Sequence, residues 1–261
     1  MTPRRKLAVA TWSSTCDASI YLKLTVDVDP VLTHLRQMNA NATDKITITH
    51  FVGKAVGHVL SIVPNLNGRI AWGRYVPHKS VDIAFLVNMD QGRNLGRVKV
   101  RDVSTKSLSH IASDLHQGTQ HLRQGSDKNH NKGEYALRIL PTWLIRPIVN
   151  FLGYLSGAIG IPLPLFGMEA FPFGSCVITN VGSFGVDNAE AYVPSAPFIH
   201  VPLYVVILAM MQRPVVRNGQ VTIAQQMDLT FTIDHRFVDG YAIAQFVYHI
   251  KKAFSNPSQI K

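Results

Sequence analysis

The chain has 261 residues, with 26 Lys plus Arg against 16 Asp plus Glu, for a formal net charge of +10. Only 16% of its residues are charged and 46% are hydrophobic, against roughly 25% charged in an average globular domain. A disordered tail or a nucleic-acid-binding arm would carry far more charge, so both are excluded, and the length is enough for one domain with a sizeable core.

Met1 to Lys6 contains Arg4, Arg5 and Lys6, but no apolar run of signal-peptide length follows, so export is not expected. Cys16 and Cys176 are the two cysteines. They exclude a disulfide scaffold and a four-thiolate zinc site, and they read as structural thiols in a reducing compartment. That compartment is the cytoplasm, with the mitochondrial matrix as the alternative. Leu22, Leu24, Val26 and Val28 alternate with Lys23, Thr25 and Asp27, which predicts a half-buried strand. Asp29-Pro30 then reads as N-cap and first turn of a helix whose inner side carries Leu32, Leu35 and Met38. A second helix follows Thr49, with Val52, Ala55, Val56, Val59, Ile62 and Val63 on its apolar face, and Pro64 stops it. Val81, Ile83, Phe85 and Val87 mark another strand, and Leu108, Ile111, Leu115 and Leu122 a third helix. Residues 124 to 134 read as a polar loop.

Pro147 to Phe166 contains no charged residue. Three strands are predicted after it, at Ser175–Thr179, Leu203–Met211 and Val221–Ile233, the last broken midway. Asn218-Gly219 supplies a hairpin turn, because both residues tolerate positive φ. A final helix runs from about Tyr241 to Phe254 and ends at Asn256-Pro257. Helices and strands mix without strict βαβ alternation. The fold class is therefore α+β, one domain with helices packed on a mixed sheet.

One constellation carries chemistry. Leu229, Phe231 and Ile233 alternate with Thr230 and Thr232, and the strand runs into Asp234-His235-Arg236-Phe237-Val238-Asp239-Gly240. A histidine at a strand end is placed to be a general base, or it is a satisfied loop histidine beside a helix cap; the motif alone leaves both open. Asp239 is placed to cap the last helix, and Gly240 gives the backbone room to turn.

The Asp-His-Arg-x-x-Asp-Gly pattern resembles the signature of the catalytic domain of dihydrolipoyl acyltransferases, the cores of 2-oxo-acid dehydrogenase complexes; chloramphenicol acetyltransferase has a related motif on the same fold. Gly174-Ser175-Cys176-Val177-Ile178-Thr179-Asn180-Val181-Gly182 is similar to the family's glycine-bounded strand, Pro64-Asn65-Leu66-Asn67 to its Pro-x-Leu-Asn element, and Arg4-Arg5-Lys6 to its basic entry. The order holds over nearly the whole chain. The resemblance implies a chloramphenicol acetyltransferase-like two-layer sandwich with the active site at a trimer interface. It implies that His235 takes a proton from a thiol, coenzyme A or acceptor, and that Thr179 stands for the family's serine and donates to the oxyanion. Such a donor is typically worth about 2.7–4 kcal/mol. Asp239 then fixes the loop and Arg236 rather than moving protons; Arg236, Gly240, Asn180 and Gly182 shape the site.

The departures are informative. Nothing in the chain matches a lipoyl domain, a flexible linker or a subunit-binding domain, so a lipoyl arm or a larger acyltransferase core would act in trans. The expected Gly-Leu-x-x-Pro-Val strand is replaced by residues 92 to 101, in which Arg97, Lys99 and Arg101 share one face. That face reads as a solvated stripe, or as an anion site for coenzyme A phosphates. The family's C-terminal apolar knob is poorly matched, which predicts an isolated homotrimer.

Residues of about 136–170 read as an apolar insertion in a single catalytic domain spanning 1–261. Pro162, Pro164 and three glycines argue against a membrane span. A subunit contact, an acyl pocket and a peripheral contact with anionic lipid all remain. His110, His116 and His121 are spaced six and five apart and share no helical face, so no metal is expected. The function expected is acyl transfer between coenzyme A or acyl-CoA and an unidentified acceptor, with no bound lipoyl group and no nucleic acid. The alternatives are a non-catalytic core or scaffold subunit and a membrane-surface binding protein.

Overall fold

The computed structural model describes residues 18–40, 42, 44–89, 94–124, 142–196 and 198–260. Arg4, Arg5, Lys6, Cys16 and most of the predicted polar loop lie outside the described residues. Eight strands are found among them: β1 (Ser19–Asp27), β2 (Gly68–Ala71), β3 (Arg74–Pro77), β4 (Ile83–Met89), β5 (Asn94–Val100), β6 (Cys176–Asn180), β7 (Leu203–Arg217) and β8 (Gln220–Asp234). The helices are α1 (Asp29–Asn39), α2 (Ile48–Ile62), α3 (Leu108–Arg123), α4 (Thr142–Gly153) and α5 (Gly240–Ser255).

Six strands form one mixed sheet in the order β1-β8-β7-β6-β4-β5, and β2 and β3 make a separate hairpin. β6 runs parallel to both β4 and β7, and the remaining pairs are antiparallel. The α+β expectation holds. Alternation divides the sheet cleanly. Leu24, Phe85, Ile178, Val205, Leu229 and Phe231 face the helices in the main core. Val177, Tyr204 and Ala84 face the other way, into a smaller cluster with Val201.

Caps and breakers set the helix ends. α1 begins one residue earlier than its predicted cap suggests: Val28 is the N-cap, Asp29 is the first helical residue, and the Asp27 carboxylate accepts from the Asp29 N–H at 3.1 Å. At α2 the Thr47 side chain accepts from the His50 N–H while His50 Nδ1 accepts from the Thr47 N–H at 3.0 Å, a reciprocal cap that uses histidine at the third position. Ser107 caps α3.

The apolar tract is not a single element. α4 carries Pro147 inside it and passes into a π turn at Tyr154–Ile159 that ends at Gly160, in the left-handed region. Gly153 packs so closely on Phe198 that a Cβ there would lie 2.4 Å from the Phe198 carbonyl oxygen. Among the described residues no helix is long and apolar enough to cross a membrane.

β7 and β8 run longer than predicted, and β8 is unbroken. Residues 210–217 of β7 pair with 220–227 of β8 across Asn218-Gly219, whose φ values are 53° and 78°. This end of β7 extends past the stretch that pairs with β6. Pro214 is tolerated there because its missing N–H falls on an unpaired edge.

Candidate active site

β8 delivers His235 to the end of the sheet. Two backbone bonds hold it: the His235 N–H donates to Ala18 O at 2.6 Å, and the Asp234 N–H donates to Pro202 O at 2.9 Å. The side chains on either side of His235 pair with each other. Arg236 Nε lies 3.0 Å from both Asp234 carboxylate oxygens and Nη2 lies 2.5 Å from Oδ2. The Arg236 N–H also donates to Asp234 Oδ1 at 3.0 Å. The loop is therefore folded about its own ion pair, with the half-buried His235 between the two partners.

Asp239 caps α5, its Oδ1 accepting from the Ala242 N–H at 3.1 Å. Asp234 supplies the carboxylate that pairs with Arg236. Gly240 does not need to be glycine for its own fold: a Cβ there meets nothing within 4 Å, and its φ is outside the left-handed region. Space on its outer side is open.

Thr179 and Asn180 stand at the other end of β6. Asn180 Nδ2 donates to Thr49 Oγ1 at 2.8 Å, and its Oδ1 accepts from the Ser183 N–H at 3.2 Å, so the turn after the strand is fixed to the start of α2. Gly182 has a steric reason to be glycine, since a Cβ would lie 2.5 Å from the Leu208 carbonyl group. Gly174 at the start of the segment has φ +64°, and a Cβ there would lie 2.3 Å from Asp82 O. The Ser175 hydroxyl donates to Asn67 Oδ1, which ties this segment to Pro64-Asn65-Leu66-Asn67. Cys176 is buried and its thiol is pushed well above the ordinary range by that burial, as a structural cysteine should be.

The sheet keeps His235 and Thr179 apart. Thr179 pairs with Val206 and Val206 with Thr230, five residues before His235. That separation is roughly 17 Å along the strands and about 10 Å across two of them. No small reacting group can touch both within one chain.

Arg97, Lys99 and Arg101 share a face of β5, but the chain supplies its own anion. Glu169 lies 3.0 Å from Lys99 Nζ and 2.9 Å from Arg101 Nη2, and 4.0 Å from Arg97 Nη2. Lys99 also donates to the carbonyls of Ala170 and Phe171, and only 6% of its side chain is exposed. It is not a solvated charge. Sequence reasoning missed Glu169, because nothing in its spacing links it to a strand 70 residues earlier.

His200 has φ +57° and a buried Nε2 with no hydrogen-bond partner. Burial, with a further push from Arg236, holds its pKa down at about 4. It shares a cleft with Ile70, Tyr204, Asp234, Arg236 and Phe237 beside the His235 loop. Among the described residues no group of three or more His, Cys, Asp or Glu side chains could hold a metal.

The fold is that of a known class. A chloramphenicol acetyltransferase superposes with a TM-score of 0.56 at 10% identity, covering 96% of this chain and 95% of that one. A probable dihydrolipoamide acetyltransferase from Listeria monocytogenes superposes at 0.67 and 17%, covering 97% and 89%. A dihydrolipoamide acetyltransferase from Azotobacter vinelandii, studied for the roles of a serine, a histidine and an asparagine in catalysis, superposes at 0.68 and 18%, covering 93% and 83%. The chain belongs to the family of 2-oxoacid dehydrogenases acyltransferase (catalytic domain), whose sequence model matches residues 2–134 and 167–261. The dihydrolipoyllysine-residue acetyltransferase component of the Rickettsia felis pyruvate dehydrogenase complex is 25% identical over 248 residues, covering 91% of this chain and 48% of the relative. The succinyltransferase component of the Haemophilus influenzae 2-oxoglutarate dehydrogenase complex is 24% identical over 242 residues, covering 90% and 47%. The chain spans about half the length of these curated relatives. The family match passes over 135–166, most of the apolar tract.

Proposed function

We propose that the chain transfers an acyl group between coenzyme A and a second acceptor, at a site completed by another copy of itself. His235 takes the thiol proton, and the thiolate attacks the thioester carbonyl. The tetrahedral oxyanion accepts a hydrogen bond from Thr179 of the neighbouring copy. Collapse expels the other thiolate, which takes the proton back from His235. The proton is returned and one thioester replaces another, so the step needs no cofactor beyond acyl-CoA.

The observation that carries this reading is the placement of His235 on an ion-paired loop at one end of the sheet, with Thr179 at the other. Each half is rigid, and neither is complete. The open side of Gly240 leaves room for a neighbouring chain or substrate to approach. A homotrimer satisfies the geometry with one repeated contact. Of the basic stripe, Arg101 is 70% exposed and can still meet a coenzyme phosphate or an acidic carrier such as a lipoyl domain supplied in trans. The domain spans 1–261 with the tract at 136–170 as its addition, and it works in a reducing compartment such as the cytoplasm.

Consumption of acetyl-CoA with dihydrolipoamide as acceptor, followed by chromatography, tests the reading. His235→Ala is expected to lower turnover by about 10²- to 10⁴-fold. Undiminished turnover in that variant would show that His235 is not the base. No turnover in the wild type, with stoichiometric co-purification with a larger acyltransferase, would make the chain a scaffold subunit.

A further inference from the structure

A surface lying mostly outside the family's match is not used by the chemistry above. Phe151 on α4 is 62% exposed, Leu165 is 79% exposed, and Ile161 and Phe166 are also exposed. Trp72, at the tip of the β2–β3 hairpin, is 74% exposed. No charged residue occurs from Pro147 to Met168. A run of exposed apolar side chains of this kind marks a binding surface.

The tract is held firmly. Arg69 Nε donates to Ala158 O at 2.7 Å, and the Trp72 N–H donates to Tyr154 Oη at 3.3 Å. Gly157 lets the π turn close on His200, with a Cβ position only 3.3 Å from the imidazole ring. Just beyond the tract, Glu169 is gripped by the three cations of β5.

It is also continuous with the reacting end of the sheet. The Tyr154 ring lies 5.9 Å from Trp72 on one side and 5.8 Å from His200 on the other. His200 shares its cleft with Asp234 and Arg236, the two residues flanking His235. Phe151, near the end of α4, lies three residues before Tyr154, which opens the π turn. The cleft offers no uncompensated charge, because Arg236 is bound to Asp234 and the buried His200 is neutral at pH 7. The cleft therefore offers a carboxylate-bearing acyl group no cation that is not already engaged, and Arg69 on the tract side is taken up by Ala158 O and the Phe171 ring.

We propose that the insertion walls the acyl side of the site and that the acyl group carried is an uncharged, apolar chain longer than acetyl. This rests on the acyltransferase reading. An acetyl group would gain nothing from such a wall, whereas each methylene buried against it adds roughly fourfold in affinity.

The test compares acetyl-, butyryl-, octanoyl- and succinyl-CoA with the full chain and dihydrolipoamide. Octanoyl-CoA is expected to exceed acetyl-CoA in kcat/KM by at least about tenfold, since two buried methylenes already give roughly 15-fold. Succinyl-CoA is expected to be the poorest. Phe151→Ser and Trp72→Ala, both at exposed positions, are expected to lower the octanoyl-to-acetyl ratio several-fold. A ratio of one or below, or a ratio unmoved in both variants, overturns the proposal. If no acyl-CoA is turned over, the transferase reading fails by itself and calorimetry decides the wall. Octanoyl-CoA binding tenfold tighter than coenzyme A, weakened by Phe151→Ser, supports it; equal binding overturns it. Flotation with phosphatidylglycerol vesicles without any chain-length effect also overturns it, assigning the surface to lipid.

Discussion

Three histidines are kept neutral by burial: His50 in the cap of α2, His78 against the ring of Phe171, and His200 beside the His235 loop. Each has its pKa lowered to about 4 from 6.5. The unfolded chain then binds more protons than the folded one between pH 6.5 and 4, so stability falls as pH falls through that window. Each group costs up to about 3 kcal/mol once the pH reaches its folded value. Denaturation measured across this window is expected to steepen toward uptake of three protons on unfolding, and His50→Asn to remove about one of them. A pH-independent stability from 6.5 to 4 would contradict the assignment. At this scale the sequence exposes His235 and Asp239, because an alternating strand ends in a histidine and a capping carboxylate follows. It does not expose Asp234 as the partner of Arg236, or His200, since both roles arise from folded contacts.

Elements explain where the rest of the fold was hidden. The β2–β3 hairpin is only four residues a side and turns at Trp72-Gly73, with φ values of 51° and 67°. Such short strands show no periodicity worth reading. The outer half of β7 was lost because Gln212, Arg213 and Pro214 do not look like a strand; its pairing with β8 overrides that local signal. Arg213 is not idle there, since it grips the buried Asp228 with two hydrogen bonds of 2.9 and 2.7 Å and holds that carboxyl below the usual range. The β6 turn was legible in its glycine spacing, and the structure adds the reason. Gly182→Ala must push the backbone of β7 at Leu208 and is expected to cost about 2 kcal/mol or more. It should also displace Asn180 and Thr179. Urea denaturation checks the first expectation; a variant as stable as the wild type would mean that the turn yields.

For the whole molecule, the apolar composition and positive charge have separate origins. The apolar excess is concentrated in the core and in one uncharged tract, 147–168. The positive charge is partly consumed inside the chain, with Lys99 spent on Glu169 and Lys54 buried against the carbonyls of Val103, Ser104 and Lys106. The resemblance already implies a site shared between subunits; what strand register adds is that His235 and Thr179 lie too far apart to meet in one chain. A trimer is the expected particle, with a light-scattering mass about three times 28.9 kDa. A 24-mer or 60-mer would refute an isolated trimer.

The most direct test of the shared site is complementation between two inactive chains. Thr179→Val removes the oxyanion donor and is expected to lower turnover by about 10²- to 10³-fold, while His235→Ala removes the base. After subunit exchange between the two variants, random pairing places an intact His235 opposite an intact Thr179 at about a quarter of the sites. Recovery of about a quarter of wild-type turnover is the predicted result. A mixture as inactive as either variant alone would contradict a site built between copies.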